Sequence, residues 1–209
     1  MIDTNLVVGI CLLLPVLGAF LVLILGSRPN VRETATLLTG GLTFWHVWGL
    51  LHHLREGVRP RLELLEIVPG VQLAFEVEPL GLLFALVASF LWIVTTLYAI
   101  GYMRGHHEKN QTRFFFFFAI AIAGAMGVAF SANLFTLFAF YEVLTLCTFP
   151  LVTHHQTDEA RKAGRVYLGI LLTTSVAFQL LAIIWTWQLA DTVDFTEGGI
   201  LAGTASNGV

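Results

Sequence analysis

Residues 133 to 152 read NLFTLFAFYEVLTLCTFPLV, an apolar run in which Glu142 is the single charged side chain. A run of this length fits the about 20 residues that an α-helix needs to cross the hydrocarbon core of a bilayer. A carboxyl group at mid-membrane costs roughly 3 kcal/mol on insertion scales, and chains that carry one usually bury it in a helix bundle and use it. Glu142 is therefore the first candidate for a functional residue.

The rest of the chain has the composition of an integral membrane protein. Of its 209 residues, 56% are hydrophobic and 12% are charged, and the mean hydropathy is +0.79, outside the range of soluble domains. We predict an all-α integral membrane fold with about six transmembrane helices. The predicted spans lie near residues 5–27, 34–54, 79–103, 114–131, 133–153 and 166–190. The second span is the weakest of the six, because His46 interrupts its apolar run.

Two segments lie outside the predicted spans. Residues 61 to 78 read RLELLEIV, then Pro69-Gly70, then VQLAFEVE. Alternating apolar residues around a turn dipeptide favour a short extracytoplasmic β-hairpin between helices 2 and 3; an amphipathic interfacial loop is the alternative. Residues 191–209 are polar and Gly-rich, and we expect an extracytoplasmic tail that is loose or binds a partner.

Basic residues are unevenly divided between the two sets of loops. The loops after helices 1, 3 and 5 hold eight of them: Arg28, Arg32, Arg104, Lys109, Arg113, Arg161, Lys162 and Arg165. The positive-inside rule places these loops in the cytoplasm and both termini outside, which requires an even number of spans. We interpret the basic clusters as topology signals and expect no nucleic-acid partner.

The remaining candidate residues are those that can exchange protons with Glu142. Thr145 shares its helix face and is the local hydrogen-bond candidate. Lys162 is the nearest basic residue that can reach inward, although snorkelling to the interface is the ordinary behaviour of such a lysine. His154 and His155 lie on a route from Glu142 to the inside. His46 is either a proton relay or a neutral hydrogen-bonding residue, and Glu142 itself is either functional or permanently protonated.

Known signatures of soluble enzymes do not occur in the sequence. It contains no nucleotide-binding loop, no Ser-His-Asp arrangement and no Cys or His pair with metal-ligand spacing. The two cysteines, Cys11 and Cys147, lie inside predicted spans. We therefore expect no catalytic residue, no cofactor and no metal in this chain alone.

Residues 78 to 178 resemble the N-terminal part of the antiporter-like subunits shared by respiratory complex I, membrane-bound hydrogenases and Mrp cation/proton antiporters. The resemblance rests on EPLGLLF (78–84), YAIGYMRGH (98–106), RFFFFF (113–118), the run at 133–152 and EARKAGRVYL (159–168). In that family a glutamate matching Glu142 pairs with a lysine on a later broken helix. Lys162 resembles, more loosely, a basic residue at the start of the sixth helix. Family members continue through a second, inverted repeat that carries the partner lysine.

The resemblance implies a short antiporter-like subunit of a larger membrane complex, which takes part in proton or cation/proton translocation through Glu142. Its implied partners are the lipid bilayer, protons with Na⁺ or K⁺, and other membrane subunits, one of which supplies the second half and a mid-membrane lysine. The implied location is the inner (plasma) membrane of a prokaryote or an equivalent energy-coupling membrane. The alternatives are a non-conducting structural or assembly subunit, and a truncated fragment of a full-length subunit. Any enzyme activity would belong to the assembly, a proton-pumping oxidoreductase or a cation/proton antiporter.

Overall fold

The structure is a computed structural model, and it describes residues 4–203. The helices are α1 (Thr4–Ile24), α2 (Pro29–Arg55), α3 (Pro79–Gly105), α4 (Gln111–Ala129), α5 (Leu134–Val152), α6 (Asp158–Thr174) and α7 (Leu181–Ala190). A π-helical segment, Ser175–Leu180, joins α6 to α7, so that one continuous helix runs over Asp158–Ala190. Strands β1 (Arg61–Val68) and β2 (Val71–Glu76) form an antiparallel hairpin between α2 and α3. The predicted fold class is confirmed.

Five of the long helices have the length and apolar character to cross a membrane, namely α1, α3, α4, α5 and the continuous α6–α7 helix. α2 is as long as α3, with 27 residues each, but it is less apolar. It begins at Pro29, five residues before the predicted span, because Arg32 and Glu33 are buried in its first turns instead of lying in a solvated loop. Hydropathy alone therefore misplaced the start of this helix.

The continuous last helix also begins earlier than its predicted span. Thr157 is its N-cap, and the side chain of Thr157 accepts a hydrogen bond from the backbone N–H of Ala160 at 3.1 Å. Such a cap satisfies one of the donors that a helix leaves unpaired at its N-terminus. The first two turns of α6, with Arg161 and Arg165, are consequently helical although they lie before the apolar run that starts at residue 166.

The connections fall at two opposite ends of the helix bundle. At one end, which we call the hairpin end, isolated β-bridges join Phe75 to Ser131 and Asn133 to Asp194. They bring the α4–α5 turn and the segment after α7 against the hairpin. At the other end, the basic end, lie the α1–α2, α3–α4 and α5–α6 connections. Over residues 4–203 the chain thus passes between the two ends six times, once in each of α1 to α5 and once in the continuous α6–α7 helix.

The core is centred on α4, which packs against α1, α3 and α5. Its largest fully buried side chains include Trp92 of α3, Phe75 of β2, and Phe115 and Met126 of α4. In the most apolar stretch of each helix, 39% of the residues are buried in α4, 17% in α5 and 11% in the α6–α7 helix. The last two helices therefore present most of their apolar side chains outward, to lipid or to a partner.

The α4–α5 pair is close because glycines face it. A Cβ at Gly124 would touch the backbone of Leu144 at 3.4 Å, and a Cβ at Gly127 would overlap the ring of Phe140. Small residues of this kind let neighbouring membrane helices approach each other. The pairing fixes the face of α5 that points to α4, and hence the direction in which its other side chains point.

The segment after α7 packs against the rest of the chain at residues 193–195, so the expectation of a loose tail does not hold there. Val193 is fully buried, and its carbonyl oxygen accepts a hydrogen bond from Leu134 N at 3.0 Å. Arg61 donates to Asp194 Oδ2 at 2.9 Å, and Phe195 N donates to Ala132 O at 3.1 Å. Residues 204–209 of the predicted tail lie outside the described part of the chain.

Candidate functional site

Glu142 lies in the middle of α5. The helix begins at the N-cap Asn133, whose side chain accepts a hydrogen bond from Thr136 N at 2.8 Å. Glu142 follows Leu134 by eight residues and precedes Val152 by ten. At a rise of about 1.5 Å per residue, its Cα is about 12 to 15 Å from either end of the helix. The structure therefore keeps this carboxyl group far from both ends.

The carboxylate of Glu142 has no partner among the described residues. Its Oε1 atom is buried and makes no hydrogen bond, and no lysine, arginine or histidine of residues 4–203 forms an ion pair with it. Thr145, one turn away, is buried, but the structure describes no hydrogen bond between the two side chains. A buried ionised carboxylate without a partner is costly. The described residues therefore supply no partner for the buried oxygen of Glu142.

Glu142 lies at the same height in the bundle as the π-helical segment. One turn before it, Phe138 packs in a cluster with Ile183 of α7. Further along α5, Thr148 Oγ1 lies 3.4 Å from Tyr167 Oη of α6. Because α5 and the last helix are antiparallel, Glu142 falls between these contacts, opposite the Ser175–Leu180 segment. π-Helical turns inside α-helices occur frequently at functional sites.

A groove of about 460 Å³ lies beside this segment, lined by Tyr141, Thr174, Ser175, Phe178 and Gln179. Within residues 4–203, neither the hydroxyl group of Tyr141 nor the amide of Gln179 is hydrogen-bonded to another side chain or to the backbone. Our sequence reasoning missed both residues. Gln179 could have been found as one of two amides, with Gln188, within the apolar run of the last helix, but the π-helical turn leaves no signal in hydropathy.

The structure does not bring Lys162 to Glu142. Lys162 is exposed near the start of α6, two residues before Gly164, and a Cβ at Gly164 would meet Thr153. Thr153 follows Glu142 by eleven residues, which is about 16 Å along the axis of an α-helix. Lys162 instead borders a shallow surface groove with Glu159 and Tyr167. Direct pairing with Glu142 would require a large movement.

The histidines lie apart from Glu142 as well. His154 packs its ring edge-on against Phe114, and both its ring nitrogens are buried without a hydrogen bond to any described residue. Burial first, and then the charge of Arg113, lower the pKa of His154. His155 is exposed, with Nδ1 3.9 Å from Glu108. The Nδ1 atom of His46, on α2, lies 2.8 Å from Leu42 O.

The sequence analysis missed one charged cluster, because Arg32 and Arg104 were interpreted only as topology signals. Glu33 is 5% exposed and Arg32 is 3% exposed. Arg32 donates to Glu33 Oε1 at 3.1 Å, and Arg104 donates through Nε to the same atom at 3.1 Å and through Nη2 to Oε2. This network ties α2 to the end of α3 at the basic end. A glutamate beside an arginine at the start of a span was the available signal.

Two family models match the chain. The model described as NADH-Ubiquinone oxidoreductase (complex I), chain 5 N-terminus, matches residues 69–115. The model described as NADH:quinone oxidoreductase/Mrp antiporter, TM, matches residues 131–207. Together they cover more than half of the chain, and the second match includes Glu142 and the π-helical segment.

Similar proteins and a similar structure agree with these matches. A Staphylococcus aureus (strain MRSA252) protein provisionally named antiporter subunit mnhD2 is 25% identical over 186 residues, which are 89% of this chain and 37% of that protein. Its counterpart in strain JH9 is 29% identical over 128 residues, 61% of this chain and 25% of that protein. The chain thus spans little more than a third of the length of these relatives at most.

A solved structure of the membrane-bound sulfane sulfur reductase, an archaeal respiratory membrane complex, contains a chain with a TM-score of 0.75 and 22% identity. The match covers 89% of this chain and 28% of that one. At this level of identity the likeness shows a common fold.

Proposed function

The chain belongs to the antiporter-like family of membrane subunits shared by complex I and Mrp antiporters, and we propose that Glu142 takes part in proton or cation translocation within a larger membrane complex. The single observation that carries the proposal is the Glu142 carboxyl group itself. It lies at the centre of an apolar helix, and its buried Oε1 has no hydrogen-bond partner among residues 4–203.

Such a carboxyl group can change its protonation state when its surroundings change. Burial in hydrocarbon favours the neutral, protonated form, and an approaching positive charge favours the ionised form. A partner cation that moves toward and away from Glu142 would therefore release and recover its proton. Because the described residues place no cation against Glu142, the proposal assigns that cation to a group beyond residues 4–203, such as a mid-membrane lysine of a neighbouring subunit.

The other candidate residues have subordinate places in this proposal. Lys162, His154 and His155 lie at the basic end, where they would exchange protons with the aqueous phase. Thr145 would hold water or the ionised carboxylate during transfer, and His46 has the least support because α2 packs between α1 and α3, away from α5. We place the protein in a prokaryotic plasma membrane or an equivalent energy-coupling membrane, with both termini outside and protons, Na⁺ or K⁺ as the transported ions.

The test replaces Glu142 in the intact complex. The chain is expressed with its native partner subunits, and inverted membrane vesicles are assayed with a pH-sensitive dye for proton movement driven by the native energy source or by added Na⁺ or K⁺. Glu142→Gln removes the titratable group with almost no change of shape, and we expect coupled proton movement to be lost. Glu159→Gln, at an exposed position in the first turn of α6, is the matched control and should retain it.

Assembly is measured in the same membranes by native gel electrophoresis. Loss of coupling in Glu142→Gln with an intact complex supports the proposal. Coupling equal to that of the wild type would refute it and would favour a non-conducting structural subunit. Na⁺ and K⁺ arms run in parallel identify the transported cation.

A further inference from the structure

A second site lies at the basic end, apart from Glu142. It is a cleft of about 550 Å³ between the start of α4, the end of α5 and the start of α6. Its volume is within the roughly 300 to 1,000 Å³ of pockets that bind small ligands. No role assigned so far uses this cleft.

One wall of the cleft is strongly positive. Arg113 of α4 and Arg161 and Arg165 of α6 line it, together with one carboxylate, Asp158. Arg161 and Arg165 are four residues apart, on the same face of α6. None of the three arginines forms an ion pair with a described residue, so the cleft carries an uncompensated charge of about two.

Arg113 is held in place for a ligand that accepts hydrogen bonds. Its Nη2 donates to the carbonyl oxygen of His154 at 2.7 Å, which fixes the guanidinium group at the cleft. Its Nε is buried and has no partner among the described residues. Guanidinium groups bind phosphate oxygens through their N–H donors, so the unpaired Nε of Arg113 matches the chemistry of a phosphate.

The opposite wall is apolar and lies deeper in the bundle. It is formed by Phe117 of α4 and by Phe149 and Pro150 of α5. Phe117 is one turn further into α4 than Arg113, so the positive wall is at the level of the helix ends and the apolar wall is below it. A soluble anion would use the first wall only, whereas an amphiphile would use both.

We propose that this cleft binds the phosphate headgroup of an anionic phospholipid. The phosphate lies against Arg113, Arg161 and Arg165, and the first methylenes of the acyl chains lie against Phe117 and Phe149. Basic pockets between transmembrane helices at the cytoplasmic surface recognise anionic lipid headgroups in this way. The bound lipid would join α4, α5 and α6, which otherwise meet at this end through few polar contacts.

The test compares lipids on the purified full chain in a neutral detergent. Phosphatidylglycerol and phosphatidylcholine are titrated, and the lipid-bound fraction is read by native mass spectrometry. We expect phosphatidylglycerol to bind selectively to the wild type. An arginine that donates hydrogen bonds directly to the phosphate contributes about tenfold in affinity, so Arg161→Gln and Arg165→Gln together should weaken binding about 100-fold.

Lys162→Gln is the matched control, because Lys162 is exposed, carries the same charge and is adjacent to Arg161, but does not line the cleft. It should bind phosphatidylglycerol like the wild type. An equal loss in Lys162→Gln would overturn the proposal, since it would indicate general charge attraction. Equal binding of phosphatidylcholine would overturn it too, as would glycerol phosphate competing as well as the lipid, which would indicate a soluble phosphate ligand.

The variants are checked for folding by their thermal unfolding in phosphatidylcholine. Should the double variant unfold early, Arg161→Gln alone provides the test, because its exposed side chain has no bond to another described residue that the change would break. Its affinity for phosphatidylglycerol should fall about tenfold, and an unchanged affinity would overturn the proposal.

Discussion

Gly81 is the position in α3 where one added methyl group has the clearest expected effect. A Cβ at Gly81 would lie 3.1 Å from the carbonyl carbon of Ala129, at the end of α4, and closer still to its oxygen. Ordinary carbon-to-oxygen contacts are about 3.3 to 3.6 Å. Both partners are backbone, so no side-chain rotation relieves the overlap, and the two helix ends must separate by about 1 Å or more.

We therefore expect Gly81→Ala to destabilise the protein by about 3 kcal/mol, the upper part of the range for overpacked sites. For a chain of this size that corresponds to a fall in Tm of about 6 to 12 °C. Thermal unfolding of the purified chain, followed by circular dichroism, measures the change. Gly101→Ala is the control on the same helix, because no atom lies within 4 Å of its added Cβ. If Gly81→Ala unfolded at the Tm of Gly101→Ala, the close approach of α3 and α4 would be refuted.

Two further predictions concern the basic end. Glu33→Gln leaves Arg32 and Arg104 without their buried counter-charge, and breaking a buried ion pair in this way costs about 3 to 5 kcal/mol. The Tm of the purified variant should therefore fall, whereas the exposed change Glu159→Gln should leave the Tm unchanged. Equal Tm values for the two variants would show that the network does not contribute to stability. Burial lowers the pKa of His154 in the folded chain. Below about pH 6.5 this histidine therefore binds a proton more readily in the unfolded chain than in the folded chain, so the free energy of unfolding decreases as the pH falls through that range. His154→Gln should therefore lose less Tm than the wild type between pH 7 and pH 5; parallel pH profiles would contradict this.

The sequence predicted the features that depend on the local run of residues. Each apolar run of about 20 residues became a helix, and Pro69-Gly70 between alternating residues became the turn of the hairpin. These features follow from transfer free energies and turn geometry, which each segment carries by itself. Glu142 could be singled out for the same reason, since one acid in an apolar run needs no knowledge of its neighbours.

The features that escaped prediction depend on contacts between distant residues. Glu33 and Arg104 are separated by 71 positions, so a residue-by-residue reading assigns both to solvated loops. Val193 is buried in a cluster with Val71 of β2 and Ile183 of α7, and its carbonyl oxygen accepts a hydrogen bond from Leu134 N. The distance between Lys162 and Glu142 follows from the register of α5 against α6, which no pattern in either helix specifies.

Hydrogen bonds at the hairpin end anchor the N-terminal end of α5. Asn133 is fully buried and its side-chain amide donates to Gln72 O at 2.8 Å, while Leu134 N is bonded to the segment after α7. With a rise of about 1.5 Å per residue, a rigid tilt of about 5° about this point moves Glu142 by about 1 Å and the far end of the helix by about 2.5 Å. A given tilt of α5 would thus displace the arginine-lined cleft about twice as far as the carboxyl group.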